Sequence, residues 1–253
     1  MKIAVCIKQV VTREWQVRVN DDKTWVRDAD ASWELNEPDA YALEEGLRLK
    51  EQHGGDVIVI SAGPARATQV IREALARGAD RAIHVEGDHL ATADAFVVAD
   101  ALAAALKDEQ IDLVLTGLQS DDQGFAQVGV VLAEKLHMAH STIIMEVQVA
   151  SDKLKVKREL EGGWFQWISM PLPAVLTIQS GINQLRYATL KGIMAAKKKE
   201  IRVVSASAAS PSRQRILSIY VPEKSKQTRM ITGTPSEAAK ELVRALREDA
   251  RVF

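Results

Sequence analysis

Between Gly117 and Gly129 the chain sets Gln119, Ser120, Asp121, Asp122, Gln123 and Gln127 among three glycines. The segment follows an apolar run, Asp112 to Thr116, and leads into a helical pattern that ends near His137. Free backbone N–H groups at a helix start can hold a phosphate, and small residues let the backbone come close to it. The polar side chains add donors and acceptors for a ribose or a base. The loop lacks the Gly-Lys-Ser/Thr of a Walker motif and is not G-x-G-x-x-G. A polar strand-to-helix turn with capping acids is the plainer reading, and both stand on the residues alone.

Two further segments bear on the same chemistry. Ser61-Ala62-Gly63-Pro64 closes a second apolar run and reads as a turn that could line the same crevice. Asn36-Glu37-Pro38-Asp39 reads as a helix start, with Asn36 as cap, Pro38 in the first turn and acids early. Other chemistries have little support. Five histidines are scattered, and His137 with His140 lacks nearby carboxylates for a metal. Cys6 sits inside an apolar strand as a buried, inert thiol. There is no G-x-S-x-G elbow, and no residue stands out as catalytic. Trp164 and Trp167 read as packing or interface residues, and Lys197 to Lys199 as a solvated basic patch or a docking surface.

These segments need elements to position them. Short apolar runs at Lys2–Lys8, Asp56–Ser61, Arg81–Val85 and Asp112–Thr116 read as strands buried on both faces. Helical stretches at 40–50, 65–77, 92–106 and up to His137 alternate with them. That alternation predicts an α/β fold with a mainly parallel sheet flanked by helices. Right-handed crossovers bring the three polar segments to one sheet edge, where ligands of such sheets bind. Ile143–Val149, Leu154–Glu159, Trp164–Ile168 and Ala174–Gln179 are strand-like with turns at Asp152-Lys153 and Glu161-Gly162-Gly163. They predict an antiparallel addition at a sheet edge. Ser205 to Ser212 reads as a linker, followed by a strand candidate at Ile216–Val221 and a helix near 236–248. The expected division is a body over 1–204 and a C-terminal arm over 205–253, packing on the body or on another chain.

Composition bounds the class. The 253 residues are 47% hydrophobic and 26% charged, as in an ordinary globular protein. The 33 Lys and Arg against 34 Asp and Glu leave a net charge of -1, which argues against a nucleic-acid binder. No apolar run reaches the roughly 18–20 residues of a membrane span. The N-terminus does not read as a signal peptide, and one cysteine makes no internal disulfide, so a cytoplasmic location is expected.

Several segments, in collinear order over roughly residues 1–204, resemble electron transfer flavoprotein β subunits. They are Val5-Cys6-Ile7-Lys8-Gln9-Val10, Ser61-Ala62-Gly63-Pro64, Gly78 to Val85, Lys155 to Gly163 with Gln166, Ile168 and Pro173 to Thr177, and Arg186 to Lys199. The resemblance implies an adenine-nucleotide α-hydrolase-like sheet and a heterodimer with an α subunit that carries the redox-active FAD. It implies AMP in this chain, held by Cys6, Asn36, Glu37, Pro38, Asp39 and Ala62, and by the loop Gly117, Leu118, Gln119, Ser120, Asp121, Asp122, Gln123, Gly124, Phe125, Ala126, Gln127 and Val128. Electron-bifurcating relatives would hold a second FAD there instead. It also implies docking of an acyl-CoA or related dehydrogenase through Leu190, with Ile193, Met194, Lys197, Lys198 and Lys199 nearby. Electrons would then pass to an acceptor such as ETF:quinone oxidoreductase, in fatty acid β-oxidation, with no catalytic group on this chain. The rival from another class is a stand-alone adenine-nucleotide sensor of universal-stress type. An ATP-splitting ligase ranks below it, since no Ser-Gly-Gly-x-Asp loop follows the first strand.

Overall fold

A computed structural model describes residues 1–150, 153–206, 211–222 and 228–252. The chain forms two compact units, Met1–Ile219 and Tyr220–Phe253.

The first unit is built on strands β1 (Lys2–Cys6), β4 (Asp56–Gly63), β5 (Arg81–Glu86) and β6 (Leu113–Gly117), joined by helices α1 (Glu37–His53), α2 (Thr68–Arg77) and α3 (Ala95–Leu106). A small antiparallel pair, β2 (Gln9–Val11) and β3 (Trp33–Leu35), lies in the stretch after β1. Helix α4 (Val128–Leu136) follows β6, and then come β7 (Ala139–Ala150), β8 (Lys153–Glu159), β9 (Phe165–Pro171) and β10 (Ala174–Ile178). Helix α5 (Leu190–Ala196) leads to β11 (Ile201–Ser205). Among the described residues the main sheet has nine strands, in the order β11-β5-β4-β1-β6-β10-β7-β8-β9.

The apolar runs become strands because both sheet faces are covered. Ile3 and Val5 face one core with Leu43 and Leu47 of α1 and Ile71 and Leu75 of α2. Ala4 and Cys6 face the opposite core with Val97 and Leu102 of α3 and Leu132 of α4. The chain runs outward from β1 to β4 and β5, then crosses back to β6 on the other side of β1. That reversal puts the ligand crevice of such folds at the carboxyl ends of β1 and β6.

Four expectations change. The run at Ala174–Gln179 is not part of the antiparallel addition: β10 lies inside the sheet, parallel to both β6 and the start of β7. All five of its residues are buried, as a strand covered on both faces requires. The antiparallel part is β7, β8 and β9. Helix α3 starts at Ala95 rather than Thr92, because the Asp94 side chain accepts from Val97 N and sets the boundary. Ile216–Val221 forms no strand; Ile219 N donates to Lys23 O instead. Ser205 belongs to β11, which pairs with β5, and Ser212 donates to the Asp94 carboxylate. The turn at Glu161–Gly163 is present, with Gly162 and Gly163 at positive φ. Asp152 and part of the linker, 207–210, lie outside the described residues.

The second unit holds α6 (Pro235–Arg244), continued by a π-helical turn at Ala245–Asp249. Thr234 and Glu237 form a reciprocal capping box at its start, which satisfies two backbone donors.

Candidate functional site

The ends of β1 and β6 are tied together by one buried side chain. Asp39, in the first turn of α1, accepts from Lys8 N at 2.7 Å with one carboxylate oxygen and from Gly117 N at 3.0 Å with the other. Burial pushes this carboxyl up to about 7, although the two backbone N–H groups and the Asn36 side chain act in the opposite direction. Gly117 is required beside it. A Cβ there would lie 2.4 Å from Asp39 Oδ1 and 2.7 Å from Pro38.

Asn36 stands at the N-cap position of α1, but its side chain makes no cap bond. It reaches across the crevice instead. Asn36 Nδ2 donates to Gln119 O at 3.1 Å, and Asn36 Oδ1 accepts from Asp121 N at 2.9 Å. The expected cap is therefore a loop anchor. Lys8 adds a second tie. Its Nζ lies 2.6 Å from Asp122 Oδ1, 3.0 Å from Gln123 Oε1 and 3.4 Å from Ser120 Oγ. The loop reverses within itself through Gly124 N to Ser120 O, with Gly124 and Ala126 at positive φ.

These ties frame a pocket. Its floor is Cys6, Thr116 and Gly117, and one wall is apolar: Ala62, Leu90, Ala93, Val98 and Leu102. The opposite wall is the loop and the start of α4, at Gln127, Val128 and Gly129. Among the described residues no side chain caps that helix start, so its first N–H groups are open to an anion. A Cβ on Gly129 would lie 2.6 Å from Thr177 Cγ2 and 2.8 Å from Thr116 Oγ1, so glycine lets α4 begin directly on the strand ends. Among the described residues, Lys8 is the one Lys or Arg side chain lining the pocket. An apolar slot beside an uncapped helix start fits a purine with a phosphate.

Of the residues singled out in sequence, Cys6, Asn36, Asp39, Ala62, Gly117, Leu118, Gln119, Ser120, Gln123, Phe125, Ala126, Gln127 and Val128 line this pocket. Glu37 faces outward, where it pairs with Arg13 and accepts from Tyr41. Pro38 packs behind Gly117. Asp121 and Asp122 line an adjoining groove with Trp25 and Trp33, and Gly124 shapes the loop. Sequence reasoning missed Lys8 and the α3 wall. Lys8 closes the first apolar run, two residues beyond the end of β1, and α3 also starts at the carboxyl edge of the sheet; both positions were available as signals. Cys6 is buried, and desolvation raises its thiol pKa well above the ordinary range, so it serves as wall rather than nucleophile. Among the described residues, no group of three or more His, Cys, Asp or Glu side chains is arranged to hold a metal.

The docking candidates lie elsewhere, on and after α5. Leu190 is 82% exposed and Met194 71%, and Ile193, Lys197 and Lys198 are exposed too. Lys199 departs from the expected solvated patch. Its Nζ donates to Leu75 O and Ala79 O, and burial lowers its pKa.

A doubly wound α/β body with a crevice at the reversal of its strand order defines the class of the protein. Residues 24–209 match the Electron transfer flavoprotein domain. The chain is 38% identical over 261 residues to the electron transfer flavoprotein subunit beta of Methylophilus methylotrophus, covering 98% of each. It is 36% identical over 258 residues to the subunits of that name from Bos taurus and Homo sapiens, covering 100% of this chain and 99% of each relative. The chain belongs to the electron transfer flavoprotein family, as a β subunit. No described helix is long and apolar enough to cross a membrane.

Proposed function

We propose that this chain is the β subunit of a heterodimeric electron carrier that holds AMP in the β1/β6 crevice. An α subunit carries the FAD, and that flavin supplies the redox chemistry. The observation that carries the reading is the uncapped start of α4, opened by Gly129 and facing an apolar slot at the sheet's reversal point. In this reading the phosphate sits at the first N–H groups of α4 and the adenine between Cys6, Ala62 and the α3 wall. Asp39 and Asn36 keep the strand ends and the loop at fixed separation. AMP has no redox role, so it acts as part of the fold.

The rest of the reading follows from the same family membership. The body is Met1–Ile219, and the unit from Tyr220 onward is an arm that packs on the α subunit. An acyl-CoA or related dehydrogenase docks on Leu190, and an acceptor of quinone-oxidoreductase type takes the electrons onward. Such a carrier works in the cytoplasm and has no catalytic residue of its own on this chain.

A second reading keeps the pocket and changes the ligand. The crevice adjoins the groove of Trp25 and Trp33, and both are lined by Lys8, Ala62, Leu90, Gln123 and Phe125. A dinucleotide, a second FAD, could span the two. Chromatography of nucleotides released from the purified heterodimer separates the readings. One FAD and one AMP per heterodimer is the expected result. Two FAD and no AMP would replace AMP by flavin in this chain, and one FAD with no second nucleotide would remove the nucleotide from the crevice altogether.

A further inference from the structure

Helix α5 has seven residues, too few for a helix of this length to persist in water unaided. Three contacts with α2 hold it. Arg72 Nη1 donates to Ala196 O at 2.5 Å and to Lys199 O at 2.9 Å, which ties the last residue of α5 and the turn after it to α2. In return Lys199 Nζ reaches back to Leu75 O and Ala79 O, at the carboxyl end of α2. A cation is favoured there by the helix dipole as well. Between these ends Gly192 lies so close to α2 that a Cβ would stand 2.2 Å from Ala76 O. The N-terminus of α5 needs no help from α2, because the Thr189 side chain accepts from Gly192 N at 3.0 Å.

The consequence is an exposed apolar ridge on a fixed base. Leu190 and Met194 are one helical turn apart and stand out in solvent, while the opposite side of the helix is seated through Gly192. An anchor side chain binds best when the element presenting it is already ordered, because no conformational entropy remains to be lost on docking.

We infer that Arg72, Lys199 and Gly192 are positioning residues for docking: a reciprocal clamp between α2 and α5 holds the Leu190–Met194 ridge ready for the electron donor. The inference rests on the docking role given to Leu190 above, and it assigns to α2 a part in partner recognition that its sequence does not advertise. Lys199, grouped by sequence with Lys197 and Lys198, acts on α2 and not on the partner.

The test uses the intact heterodimer with an acyl-CoA dehydrogenase as donor, and the variants Arg72→Met, Arg72→Lys, Gly192→Ala and Leu190→Ala. Amide hydrogen exchange over residues 188–199 reports the clamp, and steady-state kinetics report docking. Arg72→Met, by losing one or two hydrogen bonds, and Gly192→Ala, by driving a methyl against Ala76 O, should each speed exchange in that segment and raise KM for the carrier by about tenfold. The turnover number and nucleotide content should not change. Arg72→Lys, which keeps a donor, should fall between wild type and Arg72→Met. Leu190→Ala should raise KM without altering exchange. Unchanged exchange in both clamp variants would overturn the clamp. Faster exchange with unchanged KM, while Leu190→Ala raises KM, would overturn the positioning role alone. If Leu190→Ala also leaves KM unchanged, the docking reading itself fails and the positioning role falls with it, although the exchange data still measure the clamp.

Discussion

Asp39 concentrates the tension of the site in one side chain. It is buried, yet both its oxygens are committed to backbone donors, one just beyond the end of β1 and one at the end of β6. Asp39→Asn keeps the size but offers one acceptor, and turns an NH2 toward an N–H. Leaving a buried donor unpaired costs about 1–3 kcal/mol. The effect depends on pH in a defined direction. The folded pKa of about 7 lies above the ordinary carboxylate range, so the folded chain keeps this proton to higher pH than the unfolded chain does. The linked stability is fully present below about pH 4 and is lost as pH rises through about 7. Denaturation of wild type and Asp39→Asn across that range should show the wild-type advantage shrinking by at most about 1.4 kcal/mol per pH unit, then levelling off. A constant difference would mean that the two N–H groups hold the carboxylate ionised throughout. In sequence the residue reads as an acid in a first helical turn and, through the family resemblance, as a nucleotide contact. Its clamp role was not legible there, because the partners Lys8 and Gly117 are distant in the chain and meet only when β1 and β6 pair. Asn36 was misread for the same reason: local spacing names a cap, and the loop that claims its side chain lies 83 residues away.

At the scale of elements, the parallel half of the sheet was legible because its strands are continuous apolar runs and its helices alternate with them. The one misplaced strand, β10, carries the same signature, Ala174-Val175-Leu176-Thr177-Ile178, with every residue buried. Its sequence neighbours are antiparallel strands, and chain proximity suggested the wrong partner where burial on both faces named the right one. The strand β11 was missed because it is short and mostly exposed, at the edge of the sheet. Helix α4 tests whether element placement controls the pocket. Gly129→Ala sets a methyl 2.6 Å from Thr177 Cγ2 and 2.8 Å from Thr116 Oγ1, so the start of α4 must move away from β6 and β10. Overpacking of this kind costs about 1–3 kcal/mol. The expected outcome is a heterodimer that still forms but loses nucleotide during gel filtration, measured as nucleotide per protein. Full retention would show that the position of the helix start does not set affinity.

At the scale of the whole molecule, the first unit completes its own sheet and both of its cores, whereas the described residues of the second form one short helix and leave large apolar side chains exposed. Leu242 is 49% exposed and Val243 47%, and Tyr220 and Met230 are more exposed still. One helix buries too little area to support itself. The capping box at Thr234 and the ion pairs of Arg229 and Arg244 with Glu241 organise the helix without giving it a core. Solvent screens exposed pairs of that kind, so they add little stability. An element so constructed gains its stability from what it covers, which under the proposed assembly is the α subunit. Ending the chain after Ile219 should therefore leave nucleotide retention in the first unit unchanged while weakening association with the α subunit. Sedimentation at falling concentration reads the second effect directly: the truncated heterodimer should dissociate at concentrations where the full-length one stays intact. Equal dissociation of the two would mean that the body alone carries the interface, and the apolar side chains of α6 would then need another partner.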